Sequence, residues 1–281
     1  MSGTLYLVPT PIGNLGDLSP RAAGTLAAVD FIAAEDTRVT LKLLNHLGLK
    51  KPMVSYYRHN TESRGEAVLQ RILAGENCAL VTDAGTPAIS DPGEELVRAC
   101  AQAGAPVVSI PGPCALITAL AASGLPTGRF TFEGFLPMNR KNRQAHLDSL
   151  RGEGRTMLFY EAPHKLPATL RDLRDAFGPD RPVALCRELT KLHEEIRRTT
   201  LGEAADWYEA NPPKGEFVLV VQGEQAPPPE APDLEAGLER VAALRAEGLS
   251  LRDAARQAAR ELGLARNALY QAALGETARM P

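Results

Sequence analysis

The chain has 281 residues, 44% of them hydrophobic and 23% charged, with a formal net charge of −3. That length gives room for one large domain or two moderate ones, and the charge excludes a wholly basic nucleic-acid binder while leaving a local basic patch open. No run of 18 apolar residues occurs, which excludes a transmembrane helix, and the opening from Met1 into Leu5-Tyr6-Leu7-Val8 is not that of a secretory signal.

Strand-like and helix-like patterns alternate from the start. Leu5–Pro9 reads as a strand, and Ser19-Pro20 as a helix cap and first helical residue before Arg21–Val29. Phe31–Ala34 is a second strand, and Thr37 is expected to cap a helix through His46. Met53–Tyr56, Cys78–Thr82 and Pro106–Ile110 are further strands. Helices are expected over Thr61–Ala74, Pro92–Ala103 and Pro113–Ala122. Continuous apolar strands separated by helices predict a parallel sheet covered on both faces. After Gly124-Leu125-Pro126-Thr127-Gly128 the pattern changes. Strands fit Phe130–Phe135, Thr156–Tyr160, Val183–Arg187, Ile196–Leu201 and Phe217–Val221; helices fit the segment ending near Leu150, Lys165–Phe177 and Glu203–Glu209. The expectation is therefore an α/β protein: a parallel-sheet domain over 1–123, a mixed-sheet domain over 124–224, a proline-rich linker over 225–232 and a small helix-turn-helix-like extension over 233–281. In that extension Leu234–Ala246, Leu251–Leu262 and Arg266–Leu274 read as helices, the second capped by Ser250.

Several chemistries are missing from the motifs. The loop after the first strand is not Gly-x-Gly-x-x-Gly, no phosphate-binding Gly-x-x-x-x-Gly-Lys-Ser/Thr occurs, and Ser90 is not in a nucleophile elbow. Cys78, Cys100, Cys114 and Cys186 form no Cys-x-x-Cys pair, so buried, reduced thiols of a cytoplasmic protein are expected, with no metal site. What stands out is a set of three loops at predicted strand ends, Pro9–Asp17, Asp83–Gly93 and Pro111–Ala115, rich in Gly, Pro and small hydroxyl residues. Glycine admits close backbone approach, and open α/β sheets bind ligands outside the carboxyl ends of their strands. A ligand held by backbone groups is the functional reading; simple turns are the plainer one.

These loops carry a resemblance. Leu5–Ser19, Ala34-Glu35-Asp36-Thr37-Arg38, Asp83–Gly93, Pro111-Gly112-Pro113, Gly134-Phe135-Leu136-Pro137 and Phe159-Tyr160-Glu161-Ala162-Pro163-His164 resemble, in order, the motifs of the ribosomal RNA small-subunit methyltransferase I family. That family is of the tetrapyrrole methylase fold group, and the tail resembles its helical extension. The resemblance implies two α/β domains with S-adenosylmethionine in the cleft between them and a homodimer. It implies methyl transfer to the 2'-hydroxyl of a cytidine in the decoding region of small-subunit rRNA. It places cofactor contacts at Ile12, Gly85, Thr86, Ile89, Ser90, Cys114, Ala115, Tyr160 and Gly215. Thr86 stands where the group usually has an acid, so a role needing a carboxylate there is not carried over.

A ribose hydroxyl must lose its proton to attack, so a base or a polarising cation is expected nearby. Candidates are Glu161, His164, His59 and Arg38, with Asp36 beside the last; each also has a structural reading as an ion pair or cap. For RNA, Tyr56 could stack on a base and Arg58 could meet phosphate. Arg140, Lys141 and Arg143 lead a segment, 139–155, with five cations (Arg151 and Arg155 included) against Asp148 and Glu153. A solvated helix face is the alternative there. Two rival functions stay open: a tetrapyrrole methyltransferase of the same fold, and a noncatalytic rRNA-binding assembly factor.

Overall fold

The computed structural model describes residues 2–57, 61–225 and 234–277. Residues 226–232 of the expected linker, Arg58 and His59 fall outside them. The chain divides into two compact units, Met1–Glu224 and Gln225–Pro281, and each is taken by itself.

The first unit holds two five-stranded sheets. Strands β1 (Leu5–Leu7), β2 (Phe31–Ala34), β3 (Met53–Ser55), β4 (Cys78–Val81) and β5 (Val107–Ser109) form a sheet of order β3-β2-β4-β1-β5 in which every pair is parallel. Parallel strands need crossovers, supplied by α1 (Pro20–Ala28), α2 (Thr37–His46), α3 (Thr61–Leu73) and α4 (Glu94–Gln102). Successive side chains go to opposite faces. Leu5, Phe31, Ala33, Cys78 and Leu80 pack with Val68, Ile72 and Leu96 of α3 and α4. Val8, Ile32, Ala34, Ala79 and Val81 pack with Leu26 and Leu44 of α1 and α2. Both faces are buried, which is why these strands lack polar alternation. Ser19 caps α1 through Ala22 N–H, with Pro20 in the first helical turn. At α2 the expectation is corrected: Asp36, not Thr37, is the cap, accepting from Arg38 N–H.

The second sheet contains β6 (Phe130–Gly134), β7 (Thr156–Glu161), β8 (Pro182–Arg187), β9 (Glu195–Thr200) and β10 (Phe217–Val221) in the order β6-β7-β10-β8-β9. Only β6–β7 is parallel. One face packs on α6 (Arg140–Ser149), α7 (Leu166–Phe177) and α8 (Leu201–Ala210). The other face is covered by α5 (Ala115–Ser123), whose Leu116, Ala119 and Leu120 meet Leu158, Ala184 and Val218. So α5 precedes the expected boundary at residue 123 yet packs on the second sheet.

Among its described residues the second unit has three helices, α9 (Leu234–Ala246), α10 (Leu251–Leu262) and α11 (Arg266–Thr277). Its core is alanine-rich: Ala254, Ala255, Ala258 and Ala259 of α10 pack with Val241, Leu244, Leu269 and Ala273. Small residues let the helices approach closely. At Gly237 a Cβ would lie 2.5 Å from Leu264 Cδ1 and 2.8 Å from Leu269 Cδ1. Ser250 caps α10, and Gly263 ends it in the left-handed conformation at φ 67°.

Candidate active site

The three glycine- and proline-rich loops leave the carboxyl ends of β1, β4 and β5 and are stitched together. Thr10 and Gly85 exchange backbone hydrogen bonds of 2.9 and 3.0 Å. The Thr10 hydroxyl donates to Thr82 O at 3.1 Å, and the Thr86 hydroxyl donates to Pro113 O at 2.8 Å. Thr86, in the acid's place, thus ties the β4 loop to the β5 loop. Gly85 is buried at φ 85°, a conformation that favours glycine, and its open side meets Ile12 Cγ2 at 3.5 Å from an added Cβ.

The second sheet supplies the facing wall. Tyr160 is held by Leu116 N–H, which donates to its hydroxyl at 3.1 Å, and by the ring edges of Phe132 and Phe135. Burial pushes that hydroxyl above the ordinary range. From the β8–β9 loop, Lys191 Nζ bonds Glu188 and Glu216, each at 2.8 Å. Burial works against the charge on Lys191, but the two carboxylates outweigh it and hold the amine above its usual value; Lys191 in turn lowers Glu188. The stem of Lys191 presses on the first loop, where a Cβ on Gly13 would lie 2.4 Å from its Cγ.

Between these walls is a cavity of about 390 Å³. Ile12, Gly85, Thr86, Ile89, Ser90, Cys114, Ala115, Tyr160 and Glu161 all line it. Gly215 does not; it sits behind the wall at φ 86°, and a Cβ there would lie 2.4 Å from Glu188 Cγ. The sequence reading missed Asp91, Glu188, Leu189, Lys191 and Glu216, which also line the cavity. Asp91, Glu188 and Glu216 bring three carboxylates to its lining against one lysine, Lys191; the Glu161 carboxylate is turned to Thr169 behind the wall.

Other candidates are placed differently. Glu161 is 4% exposed, and both its oxygens are engaged: Oε1 accepts from Ala162 N–H at 2.8 Å, and Oε2 accepts from the Thr169 hydroxyl. Arg143 bonds that same hydroxyl at 2.8 Å and Asp172 at 2.5 Å, with its side chain only 15% exposed. Arg143 is therefore corrected from an RNA contact to an internal tie between α6 and α7. Tyr56 is corrected too. It is fully buried beside Val68 and Ile72, and cannot stack on a base; burial pushes its hydroxyl up to about 12. Arg38 lies outside the cavity lining and pairs with Asp36 at 2.5 Å, which holds that carboxyl down at about 2. His164 is exposed, next to the cavity-lining Pro163. Arg140 and Lys141 are exposed in the first turn of α6, where the resolved turn holds no acid and Asn139 caps the helix.

Two joined α/β halves with a cavity between their sheets define a fold class, the tetrapyrrole methylases. Residues 4–205 match the family model for Tetrapyrrole (Corrin/Porphyrin) Methylases, and residues 231–277 match that for the RsmI C-terminal HTH domain. The cobalt precorrin-4 methyltransferase CbiF has the same fold, with a TM-score of 0.57 at 19% identity over 77% of this chain and 94% of that one. So does a uroporphyrin-III C-methyltransferase from Thermus thermophilus complexed with S-adenyl homocysteine, at 0.56 and 18% over 78% and 97%. Among curated proteins, the ribosomal RNA small subunit methyltransferase I of Synechocystis is 52% identical, covering 97% of this chain and 98% of its own. That of Escherichia coli O157:H7 is 48% identical, over 97% and 95%. The chain belongs to the ribosomal RNA small subunit methyltransferase I family of the tetrapyrrole methylases.

Proposed function

We propose that this protein transfers a methyl group from S-adenosylmethionine to the ribose 2'-hydroxyl of a cytidine in the decoding region of small-subunit rRNA, as a cytoplasmic homodimer. The observation that carries the donor assignment is the cavity. Its volume is that of a small-molecule site, its first wall is glycine-fitted backbone, and its carboxylates suit a cationic ligand. Ile12, Gly85, Thr86, Cys114, Ala115 and Tyr160 would hold the donor, which when bound supplies an electrophilic methyl on a sulfonium. The chain's own contribution is mainly positioning and exclusion of water.

Glu161 has no free oxygen directed at a substrate, so we assign it the positioning of Ala162 and Pro163. Proton acceptance falls to His164, the exposed titratable group beside Pro163. An acidic cavity repels a polyanion, so RNA needs a cationic surface elsewhere. Arg140 and Lys141 supply it: placing them at a helix N-terminus costs roughly 0.3–1 kcal/mol each through the helix dipole, a cost that phosphate contact would offset. Exposed Phe135, Met138 and Leu192 support a dimer contact, checked by light scattering.

The test is incubation with methyl-labelled S-adenosylmethionine and small subunits lacking their modifications, followed by mapping of alkali-resistant linkages. A single resistant linkage at a decoding-region cytidine is expected. Labelling of a uroporphyrinogen-like acceptor instead would favour the tetrapyrrole reaction. Binding of rRNA with neither transfer nor donor affinity would favour an assembly factor.

A further inference from the structure

The arginines of the second unit are unevenly placed. In α10, Arg252, Arg256 and Arg260 follow at four-residue steps, all exposed, so they form one stripe with guanidinium groups based about 6 Å apart along the axis. The acids of the same helix are already engaged. Asp253 takes the Ser250 hydroxyl and Arg256, and Glu261 takes Gln257 and Arg240 of α9 at 2.6 Å. Arg252 and Arg260 have no carboxylate partner among the described residues. After the turn at Gly263, α11 opens with exposed Arg266, whose guanidinium, among the described residues, meets the amide oxygen of Asn267 and no carboxylate. In sequence the unit has seven arginines against eight acids, so its total charge hides this stripe.

We propose that the α10 stripe and the start of α11 form a second RNA contact, which grips the sugar-phosphate backbone of a helical segment of the substrate rRNA. This rests on the rRNA reading above. The major groove of an A-form helix is too deep and narrow for a protein helix to read, so this face meets phosphates rather than base edges. Its contribution is therefore strongly salt-dependent and largely independent of sequence. It anchors the substrate while the cavity acts on one nucleotide.

The experiment compares the full-length protein with an Arg252→Gln/Arg260→Gln/Arg266→Gln variant. Glutamine keeps good helix propensity, and helical content is checked by circular dichroism. Affinity for protein-free small-subunit rRNA is measured across salt concentrations, with intact small subunits as a second arm. The variant should bind protein-free rRNA roughly tenfold or more weakly at low salt, with a salt slope reduced by roughly 2 to 3. S-adenosylmethionine affinity and transfer at saturating rRNA should be unchanged. An unchanged slope and affinity overturn the proposal. So does a loss seen with intact subunits alone, which would identify a ribosomal protein as the partner. If the wild-type protein binds and methylates no rRNA, the rRNA reading itself fails, a result distinct from either of these.

Discussion

Replacing Thr169 by valine removes one oxygen from the tie behind the cavity wall and changes little else in shape. Thr169 is fully buried; its hydroxyl donates to Glu161 and accepts from Arg143. Glu161 would keep only the Ala162 N–H. A hydrogen bond to a charged group contributes roughly 1.5–3 kcal/mol, and the arginine loses a partner as well, so a loss of about 3 kcal/mol is expected. For a unit of this size that lowers the melting temperature by roughly 6–12 °C. Because Ala162 and Pro163 line the cavity, donor affinity should weaken while kcat at saturating donor changes little. Glu161→Gln should behave the same way, with the pH profile of kcat retained. The assay pairs calorimetric melting and donor titration with single-turnover transfer. If Glu161 were the base, Glu161→Gln would instead cut kcat by roughly 10²–10⁴. That result would refute the positioning role.

His164→Ala should lower kcat by roughly 10²-fold with donor affinity retained, and wild-type turnover would remove it as proton acceptor. Gly237→Ala should destabilise the second unit by roughly 1–3 kcal/mol, since its methyl would overlap Leu264 and Leu269; amide exchange should rise in α9 to α11 and not in the first unit. Among the thiols, burial pushes Cys78 up to about 12 and Cys186 up to about 11, whereas Cys114 is half-buried on the cavity. A thiol reagent near pH 8 should label Cys114 first, and S-adenosylhomocysteine should slow it; preferential labelling of Cys78 would contradict this burial. The hydrogen bonds of Arg155 hold Glu153 at about 2, below its ordinary 4.5. Because the folded value is depressed, the pair stabilises above pH 4.5, and the contribution disappears as pH falls from there to 2; a carbon NMR titration midpoint near 4.5 would oppose it.

The sequence reading succeeded where local pattern and burial agree. Phe31–Ala34 and Phe217–Val221 are continuous apolar runs, and their strand bounds match the structure. Pro9, Thr82 and Ile110 were read as strand ends because they continue such runs, but the chain has already turned there toward the cavity. The sequence marks the end of α6 near Leu150 but not its start, because Arg140, Lys141 and Asn142 offer no apolar stripe; the cap at Asn139 is the available signal. For Tyr56, strand parity decides: it shares a face with Val54 of β3 and joins its core, while Tyr57 points outward. The first cavity wall was legible because each of its loops is contiguous in sequence. The second was not, because Glu188 and Lys191 meet Glu216 only through the pairing of β8 with β10. Tyr160 and Gly215 were its local traces.

Ala88 and Ser90 in the β4 loop, and Glu188 and Thr190 in the β8–β9 loop, have φ values of 68°, 66°, 49° and 67° without being glycine. Each such residue costs on the order of 1–3 kcal/mol and persists only when its surroundings hold it. Ser90 and Glu188 line the cavity from opposite halves. The site is thus set under tension during folding, before any ligand arrives. A ligand that fits would need to spend little binding energy on ordering the loops. Glycine at Ala88 or Ser90 would relax the backbone, yielding a more stable protein whose loop samples more shapes and whose donor affinity is lower.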